Sequence, residues 1–343
     1  MVLQLESPSG DRLRFAEWSK GARMLERVLH AVVVAVLVTV GAAGAEPSSE
    51  DPRLDRAAAL VDRYYGDGRQ LDEAGTLVGH SLSQRSSARA YTLAARIVIK
   101  GGHVLYLEFQ PGTRDRYRRL IDLALAADPR YVPALSLLSE SERLGGDLDA
   151  ACATARKGVE IDPSYPWVRI NLARCYAARG TLDPAFEQID AVVGAQPGNG
   201  LNQRRAYVTA MLLKTGMVAT PQNVQVVRKM AAQIEAALDP KDAWTLGSLA
   251  ETFEDMADYD DAIAYARKAL RVMDYGAGHG ILAAALYGKA AQLELADRPS
   301  TSTLAQARAA QGSREIVLNH FERPGLPPEV TKLAPIVRTM LQG

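Results

Sequence analysis

Beyond residue 50 the apolar side chains follow helical patterns, and those patterns are punctuated at regular intervals. Pro129, Pro163 and Pro197 stand 34 residues apart, each directly after the last residue of a helical stretch, Asp128, Asp162 or Gln196. Proline lacks an N–H and clashes with the preceding turn, so a helix cannot run through it and the chain must turn. A unit of this length holds two helices of about 12 to 14 residues with their turns, and a strict period of this size marks a stacked repeat. Within residues 167–193, Gly180 divides the pattern into two helices. Leu172 and Ala173 lie on the first, and Ala185 on the second is small enough for the pair to approach closely.

These positions resemble the tetratricopeptide-repeat (TPR) family. Its repeat has Leu and a small residue in the first helix, an aromatic three further on, Gly at the turn, Ala in the second helix and a closing Pro. Leu172, Ala173, Tyr176, Gly180, Ala185 and Pro197 fill those places. A second unit fits through Leu249, Ala250, Phe253, Tyr259, Asp260, Asp261, Ala262, Ala269 and Leu270. Leu138, Gly146, Ala151 and Pro163 mark the unit at 131–163, and Ala124, Leu125, Asp128 and Pro129 close the one before it. Weaker copies at 57–82, with Val61, Tyr65 and Ala74, and at 275–310, with a loop at 298–302, extend the likeness over residues 50–310. Insertions at 101–113 and 217–223 depart from the pattern. The resemblance implies an all-α, right-handed solenoid of about six to seven helix pairs over 46–310. The tail, 311–343, is expected to cap it with apolar stretches at 316–321 and 330–341, the latter interrupted at Pro335.

The first 45 residues read as a targeting segment. Arg23 and Arg27 precede the apolar run 31–40, and the small triplet Ala43, Gly44 and Ala45 follows, then Glu46 and Pro47. That layout is a signal peptide with cleavage expected after Ala45. The apolar stretch 31–45 falls short of the roughly 20 residues that span a bilayer, so an uncleaved inner-membrane anchor is the alternative. Residues 1–22 carry balanced charges, which makes Met24 a candidate start. No Cys follows the expected cleavage point, so lipid attachment there has no support. The expected location is the periplasm or another exported compartment, with membrane contact through the signal segment alone.

Charge narrows the partners. Lys plus Arg equals Asp plus Glu at 40 each, so no net field draws the molecule to nucleic acid, and recognition must be local. Aromatics are 6% of the chain against 48% apolar overall, a balance dominated by Ala, Leu and Val that suits packed helices. Similarity to the family makes the concave face, lined by the first helix of each pair, the expected site for a partner protein or peptide segment of an envelope complex. On that face Trp167, Asn171 and Arg174 are followed by Arg204 and Arg205 and then by Glu251, Glu254 and Asp255, a run from basic to acidic. Arginine forks bind carboxylates in a bidentate manner; ordinary solvated helix faces are the competing reading. The family's carboxylate clamp needs Lys and Asn in its first helix, where this chain has Ser136 and Glu140. Only Asn171 and Arg205 match, so chaperone-tail binding is not carried over.

Other chemistry has little support. His30, His80, His103, His279 and His320 form no His-x-x-x-His pair, no Cys has metal-ligand spacing, and no phosphate loop or nucleophile elbow occurs. The expectation is a non-catalytic protein without cofactor or metal. Gly276, Gly278 and Gly280 around His279 read as a flexible connector rather than a nucleotide site. Arg114, Arg116, Arg118 and Arg119 around Tyr117 read as a solvated helix face, and the alternation at 103–109 either docks a partner or folds back on its own repeat. Cys152 and Cys175 fall on neighbouring packed helices; they are either two buried small residues or, in an oxidising compartment, a disulfide. Trp167 and Trp244 near the starts of first helices keep a glycan-binding accessory role in polysaccharide export as the alternative function.

Overall fold

The computed structural model describes residues 51–102, 112–195, 200–237, 239–310, 314–323 and 325–342. The signal segment, Pro197 and the alternation at 103–109 lie outside these. The described residues form helices and turns with no strand, and the helices pair in chain order. The seven pairs are α1 (Pro52–Asp62) with α2 (Gly68–Gln84), α3 (Ala88–Gly102) with α4 (Thr113–Ala127), and α5 (Val132–Leu144) with α6 (Leu148–Ile161). They continue with α7 (Pro166–Ala178) and α8 (Leu182–Gly194), α9 (Leu201–Gly216) and α10 (Pro221–Ala237), α11 (Ala243–Asp255) and α12 (Tyr259–Val272), and α13 (Gly276–Leu295) and α14 (Thr301–Ala309). The tail follows as α15 (Arg314–Glu322), α16 (Pro328–Thr331) and α17 (Ala334–Met340).

Local chemistry sets the boundaries. Gly146 and Gly180 join the helices within two successive pairs at φ 85 and 74°, a left-handed backbone that costs a side-chain-bearing residue strain. Between pairs, an Asp-Pro turn recurs. The Asp128 and Asp162 carboxylates accept from the backbone N–H of Arg130 and Ser164, both at 2.9 Å. Asp239, before Pro240, does the same with Lys241 at 3.0 Å. Each turn places the start of the next first helix two or three residues on.

The family positions form the core. Leu172, Ala173, Ala185, Leu249, Ala250, Phe253, Tyr259, Ala262 and Ala269 are all buried. Tyr259 lies against Gly288 of α13, where a Cβ would have no room. The glycines around His279 differ from the expected connector: Gly276, Gly278 and Gly280 are buried in the first turns of α13. Tyr275 and Leu270 pack against Gly278 so tightly that the close approach, rather than flexibility, explains the glycine. The insertion expected at 217–223 is shorter, because Pro221 opens α10 in the first turn, where proline costs nothing. In α4, Tyr117 is buried while Arg114, Arg118 and Arg119 are exposed.

The stack curls far enough for its first pair to meet its sixth. The Trp244 indole N–H donates to the Tyr64 carbonyl at 2.8 Å, and Arg205 Nη1 donates to the Asp62 carbonyl at 2.6 Å. Tyr64, Tyr91 and Leu93 share one core with Ala243, Leu246, Met273 and Tyr275. The tail seals the far end: Val317, Phe321, Val330, Leu333 and Val337 are fully buried in a core with Phe253, Tyr259 and residues of α13.

Candidate functional site

Because first helices α3, α5, α7, α9 and α11 face inward, the curl encloses a set of adjoining recesses. The first, of about 360 Å³, is walled by Arg89, Thr92 and Arg96 of α3, Ser136 and Glu140 of α5, and Trp167, Asn171 and Arg174 of α7. Tyr131 and Tyr165, which follow the Asp-Pro turns at Pro129 and Pro163, also line it. The second, of about 240 Å³, shares Arg96, Trp167 and Asn202 with the first and adds Lys100, Arg205, Trp244, Thr245 and Ser248. The third, of about 260 Å³, meets the first at Arg174 and runs past Arg143, Glu251 and Asp255 to Arg323 and Leu326 of the tail.

The charges in these walls are organised by ion pairs within the chain. Burial alone would raise the Glu140 carboxyl, but Arg143, through its charge and hydrogen bonds of 2.9 and 2.8 Å, together with Arg174, holds it down at about 2. Arg205 grips Asp242 with Nε at 3.0 Å and Nη2 at 3.0 Å. Asp242 also caps α11, accepting from the Thr245 N–H and hydroxyl at 3.2 and 3.0 Å. Lys100 Nζ sits 3.9 Å from the centroid of the Trp244 ring. Burial, then the charges of Arg96 and Arg205, pull its ammonium down to about 7 against the opposing Asp62 and Asp242. The Trp167 indole nitrogen is buried with no hydrogen-bond partner among the described residues.

The acidic end is covered by the tail. Arg323 pairs with Asp255 and lies 3.9 Å from Glu251, and His320 Nδ1 lies 2.8 Å from Glu254 Oε2, off a hydrogen-bonding direction. Burial raises Asp255 to about 6 despite Arg323.

The residues expected on the concave face therefore divide. Trp167, Asn171 and Arg174 come together in the first recess, although Asn171 is buried and spends its amide on the Ser136 carbonyl at 2.9 Å. Arg205 lines the second, and Glu251 and Asp255 line the third. Glu254 is a correction: it is fully buried under His320, because α15 packs over that face of α11. Arg204 is exposed and lines none of the three recesses, since its neighbour Arg205 takes the inward position. Arg96 and Lys100 are additions; their i,i+4 spacing places them on one face of α3, a signal obscured by the insertion that follows. Cys152 and Cys175 are joined as a disulfide across α6 and α7 with Cα atoms 5.5 Å apart. No metal-ligating cluster occurs among the described residues, and no described helix is long and apolar enough to cross a membrane.

Comparison with known proteins finds one matched repeat and partial similarity elsewhere. Residues 245–272, covering α11 and α12, match the tetratricopeptide-repeat family model. The chain is 30% identical over 144 residues to cellulose synthase operon protein C of Pseudomonas fluorescens, a stretch that is 38% of this chain and 11% of that protein. It thus spans about a ninth of that relative's length. Among solved structures, the P58(IPK) TPR domain aligns over 84% of this chain and 78% of its own at 11% identity and a TM-score of 0.25. With paired helices meeting through Leu, small and aromatic positions, this chain resembles the tetratricopeptide-repeat proteins and carries a match to their repeat at 245–272.

Proposed function

We propose that this chain is a non-catalytic scaffold of the bacterial cell envelope that holds an extended segment of a partner protein along its concave wall. The observation that carries this reading is the row of three adjoining recesses, linked through Trp167 and Arg174. A row of this kind suits an extended chain better than a compact metabolite, because alternate side chains enter successive recesses. Tyr131, Tyr165 and Trp167 supply rigid aromatic contact area, the residue types that dominate binding energy at protein interfaces. The signal-like segment at 1–45 supports an exported, periplasmic location.

Affinity capture from detergent-solubilised envelope tests the proposal. The wild-type chain is compared with Trp167→Ala/Arg174→Glu and with Lys157→Glu on the exposed face of α6. A protein retained by wild type and by Lys157→Glu, and lost from the double variant, is the expected result. Equal retention by all three would remove the concave wall from the account.

A second reading has its own support. The aromatic lining of the first recess and the likeness to a protein of a cellulose synthase operon favour a glycan-binding accessory of polysaccharide export or assembly. Recovery of polysaccharide without protein in the same capture would establish that ranking instead.

A further inference from the structure

The second recess carries more positive charge than its surroundings neutralise. Arg96, Lys100 and Arg205 line it, and among the described residues no acidic side chain does. Two carboxylates stand behind the wall: Asp62 takes Arg96, and Asp242 takes Arg205. Lys100 has no carboxylate partner among the described residues and rests on the Trp244 ring. A cation on an aromatic face gains about 0.5 to 2 kcal/mol, well short of what removing an ammonium from water costs. In the lining of the same recess, the buried Trp167 N–H has no acceptor among the described residues, and an unmade hydrogen bond in a buried place costs about 1 to 3 kcal/mol. Arg96 hydrogen-bonds to Asp62 through Nη2 alone among the described residues. Among the described residues the recess thus presents three unused kinds of donor, one uncompensated charge and no anionic acceptor.

We propose that Arg96, Lys100 and the Trp167 indole N–H, with the charge of Arg205 behind them, receive a carboxylate from an acidic segment of a partner protein. The site exists only because the array curls: α3 supplies Arg96 and Lys100, α7 supplies Trp167, and α9 and α11 supply Arg205 and Trp244. It rests on the scaffold reading and names the chemistry of the segment held. Asn202, Thr245 and Ser248 in the same wall offer neutral hydrogen bonds to the adjoining backbone. The recess opens into the first one past Trp167, so the segment continues towards Tyr131 and Tyr165.

The proton count makes the site distinctive. The groups facing Lys100 are Arg96 from its own helix, Asp62 at the end of α1, Arg205 from α9, and Asp242 and Trp244 at the start of α11. Burial and then like charge bring Lys100 to about 7; an entering carboxylate favours the charged form, so binding takes up a proton. With Lys100 fully protonated when bound, the affinity falls about thirty-fold between pH 6 and 8.5.

Calorimetric titration of the full chain with hexaglutamate, hexaglutamine and tetragalacturonate at pH 6 and 8.5 provides the test. Saturable binding of hexaglutamate alone, weakened at the higher pH, is expected. Lys100→Met loses most of that binding while its thermal unfolding stays at or above wild type, and Lys100→Arg keeps binding with a flat pH profile. No saturable hexaglutamate binding, or binding unchanged in Lys100→Met, overturns the proposal. A preference for tetragalacturonate overturns the peptide assignment and gives the carboxylate a saccharide source. A protein captured through the concave wall by a chain that ignores hexaglutamate would remove this site and leave the scaffold reading standing.

Discussion

Leu249 is fully buried where α11 meets the core around Phe253 and Tyr259, and removing its side chain leaves a void the packed helices cannot fill. Leu249→Ala is expected to cost about 2 to 5 kcal/mol in denaturant unfolding. Such positions are legible in sequence because the spacing of Leu, small and aromatic residues fixes which side of a helix meets its neighbours. Glu254 shows where that legibility ends. It follows Glu251 by three residues and shares its helix face, yet α15, some sixty residues later, buries it under His320. No local pattern encodes a covering element that far along the chain. The contact gives a pH signature. Burial lowers the His320 imidazole, but Glu254 raises it overall from its ordinary 6.5, so its contribution is complete below that value and is lost as pH rises through the folded value. Asp255, raised from 3.8 to about 6 by burial, binds its proton more tightly when folded, so it too favours the native state less as pH rises over that interval. Glu251 is held below its ordinary 4.5 and acts oppositely only in more acidic solution. Lys100, lowered to about 7, acts oppositely over the same range, so the comparison is made in Lys100→Met: its thermal unfolding at about pH 5 should occur at a higher temperature than at about pH 8, with a smaller difference when His320→Gln is added; a melting temperature that rises with pH in Lys100→Met would contradict the burial of this cluster.

At the scale of elements, the 34-residue spacing of prolines gave way to a more specific device. Asp128 and Asp162 each accept from the backbone two residues on, and Asp239 with Pro240 repeats the turn at a place where the period no longer holds. The helices that these turns join were readable; the connector after α9 was not, since Pro221 sits inside the helix it opens. The link between α6 and α7 is open to direct measurement. Non-reducing peptide mapping should recover the Cys152–Cys175 cross-link, and reduction should lower stability by about 2 to 4 kcal/mol, given the sequence separation of 23 between the two positions. A reduced chain that unfolds no earlier than the oxidised one would show that helix packing alone sets this joint.

For the whole molecule, repeat number and helix class follow from the sequence, while the curl does not, because it accumulates from small rotations between pairs. Its consequence is the contact of α1 with α9 and α11 through Asp62, Tyr64, Arg205 and Trp244, which converts an open groove into recesses. Trp244→Ala removes the Tyr64 hydrogen bond and the support under Lys100; small-angle scattering should record a larger radius of gyration for this variant, and an unchanged radius would place the closure elsewhere. The central claim, that a partner segment lies along the inner wall, is tested most directly by site-specific photo-cross-linking in cells. A benzoylphenylalanine at Trp167 should form a covalent adduct with a discrete protein, while the same group at Lys157 on the outer face of α6 should not. Adducts from Lys157 alone would put the partner on the outside of the array and contradict the account.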